Sequence, residues 1–312
     1  MPPEEKPTAV LLMGPTASGK TQLSIDLAHA LNAEIISVDS ALVYRDMDIG
    51  TAKPGLSERA GIVHHLIDIL DPSENFSTGE FRTRALALMA DIQRRGKLPL
   101  LVGGTMLYFN TLTQGLAQLP EANPEIRLRL DQELHSEGKE KLHARLKAVD
   151  PEAAARIHVN DPQRIQRALE VYELSGRPLS SFFMPDQAAD HPFHLLKLII
   201  APSERQVLHE KIAERFKIML QQGFLDEVAR LQQRPDLHEN LPSMRCVGYR
   251  QAWAYLKGEY GFAEMQDKAI AATRQLAKRQ FTWLRKEQNA LQLITGEANL
   301  LNIARDYCLR HG

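Results

Sequence analysis

Gly14, Gly19, Lys20 and Thr21 fit the pattern G-x-x-x-x-G-K-[ST] in full, within the run Gly14, Pro15, Thr16, Ala17, Ser18, Gly19, Lys20, Thr21. Such a loop needs glycine so that backbone N–H groups can turn inward around phosphate oxygens. The lysine adds a point charge. The hydroxyl beside it can ligate a magnesium ion that itself holds phosphate oxygens. These eight residues are therefore expected to bind a phosphate-bearing ligand, with Mg2+ held through Thr21. The pattern does not say which phosphates: a nucleoside triphosphate and a pyrophosphate on another carrier suit the same cradle.

Asp39 closes the apolar run Glu34–Val38. A parallel strand there would deliver it to the same sheet edge as the phosphate loop, where ligands of open α/β sheets sit. An ionised aspartate beside a transferable group is a candidate general base. Its bland alternative is a helix N-cap. A triphosphatase would be expected to place another aspartate at a strand end to organise magnesium and water. The run Leu98–Val102 ends instead in Gly103-Gly104-Thr105, which offers close backbone approach and a neutral hydroxyl donor, or simply a tight turn. His64 and His65 are adjacent, so on a strand they face opposite sides and one ion would rarely take both.

A basic segment stands apart. Between Arg245 and Lys286 there are nine basic against three acidic residues, in a chain of net charge −1. From Lys268 to Lys286 no acid interrupts Lys268, Arg274, Lys278, Arg279, Arg285 and Lys286, and Phe281 and Trp283 are interleaved. A polyanion with unpaired bases would suit this pattern, and so would a solvated helix face with core aromatics. Trp283 is expected to be core, because tryptophan on an amphipathic helix usually packs inward.

The elements that must position these groups alternate. Thr8–Met13 reads as a buried parallel strand, and Leu23, Leu27 and Leu31 as a helix face. A short strand is possible at His65–Ile69. Ser77–Arg95 reads as a helix with a Ser77–Glu80 capping box and Gly96 past its end. This alternation predicts an α/β fold: a parallel sheet with helices on both faces. From Pro120 to about Asp190 no strand is legible, and Asp161-Pro162 opens a helix that Gly176 closes. The expected organisation is a P-loop core of residues 1–119 and 191–312 with a helical insertion at 120–190. His194–Ala201 would resume the sheet, with helices over Ser203–Gln222 and Asp267–Glu287 and a last strand at Leu291–Ile294.

Composition excludes other classes. With 312 residues, 44% hydrophobic and 25% charged, the chain is neither disordered nor fibrous. No apolar run approaches the roughly 20 residues of a membrane span. Met1–Lys6 lacks the apolar stretch of a secretory signal. Cys246 and Cys308 cannot make a disulfide framework or a cysteine-rich zinc site. A soluble cytoplasmic protein with no membrane association is the expectation.

Six segments together resemble the bacterial tRNA dimethylallyltransferases, also called tRNA isopentenyltransferases. They are Gly14–Thr21, Ser37–Pro54, Leu100–Tyr108, Asn160–Val171, Arg245–Arg250 and Arg274–Arg285. The resemblance implies a P-loop fold and transfer of a dimethylallyl group from dimethylallyl diphosphate to the exocyclic amine of the adenosine directly 3′ of the tRNA anticodon. Diphosphate would leave. It implies that the phosphate loop holds the prenyl diphosphate, that Asp39 is the base, that Thr105 bonds the leaving oxygen, and that Lys20 stabilises the growing charge.

It further implies contacts to the anticodon stem-loop. These involve Asp39, Ser40, Ala41 and Leu42, then Thr105 and Arg127. In the insertion they involve Gln163, Arg164, Ile165, Gln166 and Arg167. Towards the C-terminus they involve Arg245, Cys246, Val247, Gly248, Tyr249 and Arg250, and finally Lys278, Arg279, Gln280, Phe281, Thr282, Trp283, Leu284 and Arg285. The insertion would clamp the anticodon arm. Some eukaryotic relatives carry a zinc finger that this chain lacks, so no zinc is expected. A monomer without an obligate protein partner is also expected. The principal alternative is a P-loop nucleoside or nucleotide kinase, which would share the loop and the base but leave the basic segment without a purpose. A prenyltransferase of free adenine nucleotides and a non-catalytic P-loop RNA-binding protein are the others.

Overall fold

A computed structural model describes residues 6–115, 117, 119–183 and 191–312. The first five residues of the segment judged to carry no signal, and the C-terminal end of the insertion, lie outside them. The chain divides into two compact units, Met1–Gln114 with His191–Gly312, and Gly115–Asp190. The first division therefore falls five residues before the expected 119/120 boundary, where a helix ends at Gln114.

In the first unit the order is β1 (Thr8–Met13), α1 (Lys20–Ala30), β2 (Ala33–Val38), β3 (His64–His65), α2 (Thr78–Arg94), β4 (Leu98–Gly103) and α3 (Met106–Gln114). The second unit holds α4 (Pro124–Glu137), α5 (Lys139–Val149), α6 (Pro151–Arg156) and α7 (Pro162–Ser175). The first unit then resumes with β5 (His194–Ala201), α8 (Arg205–Gln221), α9 (Phe224–Gln232), α10 (Tyr249–Leu256), α11 (Phe262–Leu284), β6 (Ala290–Ile294) and α12 (Leu300–His311).

Among the described residues the six strands form one parallel sheet in the order β3-β2-β4-β1-β5-β6. β1 shows why a continuous apolar run becomes a central strand. Ala9, Leu11 and Met13 pack into one cluster with Phe81, Met89 and Phe109, while Val10 and Leu12 pack into another with Leu23, Leu27 and Ala304. Alternate side chains thus reach opposite faces, and both faces are covered. Each such Leu contributes roughly 1.5–3 kcal/mol by leaving water. A third cluster joins Val43, Tyr44 and Met47 to Phe216, Phe224, Tyr249 and Trp253, and so braces the loop after β2 against α8, α9 and α10.

Register sets the chemistry. Gly103 pairs with both Met13 and Val38, so β1, β2 and β4 end level. The third strand is shorter than the His65–Ile69 run suggested. Leu66 and Asp68 take positive φ, 60° and 57°, which strand pairing does not accommodate. Ser77 caps α2 by accepting the Glu80 N–H, but the Glu80 carboxylate turns to Arg84 instead of closing the box. α11 begins five residues before the expected Asp267. No helix among the described residues is long and apolar enough to cross a membrane.

Candidate active site

The phosphate loop leaves β1 and enters α1. Gly19 takes φ 90°, a left-handed turn that favours glycine, and provides no side-chain cap. The first turn of α1 also carries no acid. Its N–H groups therefore remain open, and the helix terminus favours an anion. Lys20 Nζ donates to the carbonyls of Gly14 at 2.9 Å and Pro15 at 2.6 Å. Burial pulls its pKa from 10.5 down to about 7; Asp39 opposes that shift and Arg215 adds to it. An anionic ligand on the loop would restore the charge.

Asp39 Oδ1 accepts N–H bonds from Ala41 at 2.8 Å and Leu42 at 3.4 Å. It therefore holds a turn, not a helix start, and Oδ2 has no hydrogen-bond partner among the described residues. Thr105 Oγ1 accepts the Ser40 N–H at 3.1 Å. That bond uses a lone pair and leaves the hydroxyl proton to donate elsewhere. Asp39, Thr105, Lys20 and Thr21 line one cavity of about 690 Å³.

Residues Gly50–Ala52 supply another stretch of wall. Their loop is held by Glu227 of α9, a buried carboxylate that accepts the N–H groups of Asp48, Ile49 and Gly50 and the Tyr249 hydroxyl. Three successive N–H groups around one carboxylate form an anion nest filled by the protein itself.

Several expected residues meet in this cavity. Thr16–Thr21, Asp39–Leu42, Thr105, Arg245–Tyr249, Arg279, Gln280 and Trp283 line it. Gly14 and Pro15 are buried behind it. Arg250, Lys278, Thr282 and Arg285 are exposed on helix surfaces outside the lining. Phe281 packs against the cluster of Leu208, Ile212 and Ala277.

Some side chains expected to touch RNA are committed inside the protein. Leu284 and Ile165 are core residues. Tyr249 is fully buried on Glu227, and burial raises its pKa. The Gln280 amide is engaged with backbone. Cys246 is partly buried at the cavity wall, and burial pushes its pKa up to about 12.

Trp283 is corrected in the other direction. It was expected in the core, yet it is 36% exposed, lines the cavity, and carries Lys286 Nζ 5.7 Å from its ring centroid. Ala277, Gln280 and Leu284 take the inward face of α11, so Trp283 falls beside that stripe.

Arg127, Gln163, Arg164, Gln166 and Arg167 belong to the other unit. Arg127 and Arg167 both bond the buried Glu170. Gln166 bonds the Arg127 carbonyl and Asp131, Arg164 pairs with Asp161, and Gln163 is exposed. His65 bonds the buried Glu34, and His64 bonds the Ile62 carbonyl.

Sequence reasoning missed Arg215. It projects from α8 into the cavity wall, and burial lowers its pKa while Asp39 and Glu58 oppose the shift. It makes no ion pair among the described residues. A signal existed: Leu208, Ile212, Arg215, Phe216 and Met219 share one helix stripe, so the arginine sits on the apolar face.

The family model described as IPP transferase matches residues 42–287. The tRNA dimethylallyltransferase of Methylococcus capsulatus is 60% identical over 95% of both chains. The full-length tRNA isopentenylpyrophosphate transferase of Bacillus halodurans is 36% identical, with a TM-score of 0.73 over 98% of this chain and 97% of that one. A eukaryotic dimethylallyltransferase, solved in crystallographic snapshots acting on tRNA, is 28% identical with a TM-score of 0.80, over 98% of this chain and 80% of that one.

Proposed function

The chain belongs to the IPP transferase family, and from that membership we propose that its cavity moves a dimethylallyl group from dimethylallyl diphosphate to tRNA. The acceptor is the exocyclic amine of the adenosine directly 3′ of the anticodon. The diphosphate sits on the phosphate loop, opposed by the open N–H groups of α1, by Lys20 and by Arg215.

Thr21 would hold a magnesium ion, since its hydroxyl makes no hydrogen bond among the described residues. No group of three or more His, Cys, Asp or Glu side chains there could hold a metal. The remaining oxygens would come from diphosphate and water, which suits magnesium. When bound, the ion would add charge neutralisation at the diphosphate.

An adenine amine is a poor nucleophile because its lone pair is delocalised into the ring. Its nitrogen bonds to C1 of the dimethylallyl group as the C1–O bond breaks, and the electron pair departs with the diphosphate. The amine proton passes to Asp39, whose Oδ2 is free while Oδ1 holds the turn. The Thr105 hydroxyl donates to the departing oxygen as charge develops there. No water needs activation, which accounts for the neutral Gly103-Gly104-Thr105 strand end. The target base must leave its loop stack, at a lower cost than in a duplex because it is unpaired. Arg274, Lys278 and Arg279 of α11, which make no ion pair among the described residues, would meet RNA phosphates. We further place the protein in the cytoplasm as a monomer.

One observation carries this reading. The Ser40–Thr105 hydrogen bond ties the candidate base and the candidate leaving-group donor to a single turn, in the cavity that holds Lys20. The test incubates the protein with magnesium, dimethylallyl diphosphate and unmodified tRNA, then weighs the nucleosides. Gain of one C5H8 unit on adenosine is expected. Unchanged adenosine, or a gained phosphoryl group, rejects the reading.

A further inference from the structure

Gln280 of α11 lies in the segment whose resemblance implies tRNA contact, yet it is only 8% exposed. Its amide oxygen accepts the Thr16 N–H at 3.0 Å, and its amide nitrogen donates to the Gly104 carbonyl at 2.9 Å. Thr16 belongs to the phosphate loop, and Gly104 precedes Thr105. One side chain therefore spans the two loops that hold the leaving group. The task needs an acceptor and a donor on one planar group. Glutamate lacks the donor, lysine lacks the acceptor, and asparagine is one methylene short.

Gly104 is the counterpart. Its φ is not positive, so backbone conformation does not demand glycine. Crowding does: a Cβ there would lie 2.5 Å from Gln280 Nε2 and 3.2 Å from the Gly14 carbonyl. Moving the amide aside would break both of its hydrogen bonds. Glycine at 104 and glutamine at 280 are thus one fitted pair. Arg279 and Trp283 flank Gln280 on the cavity rim, so the helix that presents charge and an aromatic ring is pinned through this amide to the reacting end.

We propose that Gln280 is a positioning residue: its amide sets the spacing between the phosphate loop and the Thr105 hydroxyl, and passes the seating of α11 to both. This rests on the transfer reaction proposed above. It makes Gln280 a strut within the protein and not a tRNA contact.

The test compares wild type with Q280A, Q280E, G104A and the G104A/Q280A double variant. It measures single-turnover transfer with both substrates saturating, tRNA affinity, and melting temperature. Wild-type transfer is the control for the reaction itself; without it the functional reading fails before this one is reached. Q280A and Q280E are expected to slow the saturated turnover on the order of 10–100-fold, the scale of a misplacement near 1 Å, with tRNA affinity unchanged. Q280E is isosteric and keeps the Thr16 bond, so it carries the test if Q280A melts early. G104A should reproduce the loss, and the double variant should be no slower than G104A alone, because both break the same contact. Weaker tRNA binding with an unchanged saturated rate would overturn the proposal in favour of an RNA contact. Additive losses in the double variant would also overturn it.

Discussion

Charge is used in opposite ways in the helical unit and around the cavity of the other unit. In the helical unit Arg127 and Arg167 converge on Glu170, which is fully buried and also accepts the Asn123 N–H. Arg129 and Arg145 share Glu133 and Glu173, and Arg164 pairs with Asp161. Around the cavity of the other unit, Arg215, Arg245 and Arg279 make no ion pair among the described residues, and Lys20 rests on two carbonyls. Desolvating a charge without a partner is costly. In the helical unit that cost is met internally, so the charges hold the fold. At the cavity Arg245 and Arg279 are exposed. For Lys20 and Arg215, whose charge burial disfavours, the cost is left open, which is where a ligand's opposite charge has most to gain.

The contrast breaks first at Asp39. Asp39→Asn keeps an acceptor for the Ala41 and Leu42 N–H groups but loses the base. Single-turnover transfer should fall on the order of 10²–10⁴-fold, with the melting temperature unchanged. Near-normal rates would assign Asp39 to the turn alone.

Glu170 should behave the other way. Glu170→Ala strands Arg127, Arg167 and the Asn123 N–H, but both arginines are partly exposed and can turn to water, so the loss should be about 1–3 kcal/mol. Urea unfolding monitored on the helical unit should register this loss. An unchanged midpoint would show that the buried carboxylate does not hold that unit together.

Arg215→Ala sharpens the cavity side. A lost charge-assisted bond is worth about 1.5–3 kcal/mol, so affinity for dimethylallyl diphosphate should drop on the order of 10–100-fold. Stability should hold. If calorimetry found the affinity intact and the melting temperature lowered, Arg215 would belong with the structural charges.

The smallest effect is on the exposed side of α11, at Lys278 outside the cavity and Arg279 on its rim. Neutralising Lys278 and Arg279 together should flatten the salt dependence of tRNA affinity by roughly 0.7–0.9 log units per lost contact. Dimethylallyl diphosphate affinity should stay the same. Parallel lines for variant and wild type would mark these two as a solvated face.

Much of the scaffold is determined locally. The buried runs at β1, β2, β4 and β5, the phosphate loop between β1 and α1, and the Asp161–Gly176 helix follow from apolar pattern and capping chemistry within a few residues of chain. Such signals need no distant partner, so sequence alone carries them. β3 marks the limit even there, because the turn at Leu66 and Asp68 is coupled to the 42–45 loop by backbone bonds from Asp68 and Ile69 to Leu42 and Val43.

Long-range packing, by contrast, sets the direction each polar side chain takes. The family resemblance put Gln280, Trp283, Arg127 and Arg167 among the candidates for RNA contact. The fold turned Gln280 inward to Thr16, 264 positions away, and set Trp283 at the cavity rim. It gave both arginines to Glu170 and brought Arg215 to a wall that no motif announced. The reason is physical. An amphipathic helix specifies that one face is buried, but whether that face meets core, cavity or a waiting carbonyl depends on groups supplied by remote segments. Those partners exist only once the sheet has brought the loops after β1, β2 and β4 to one edge.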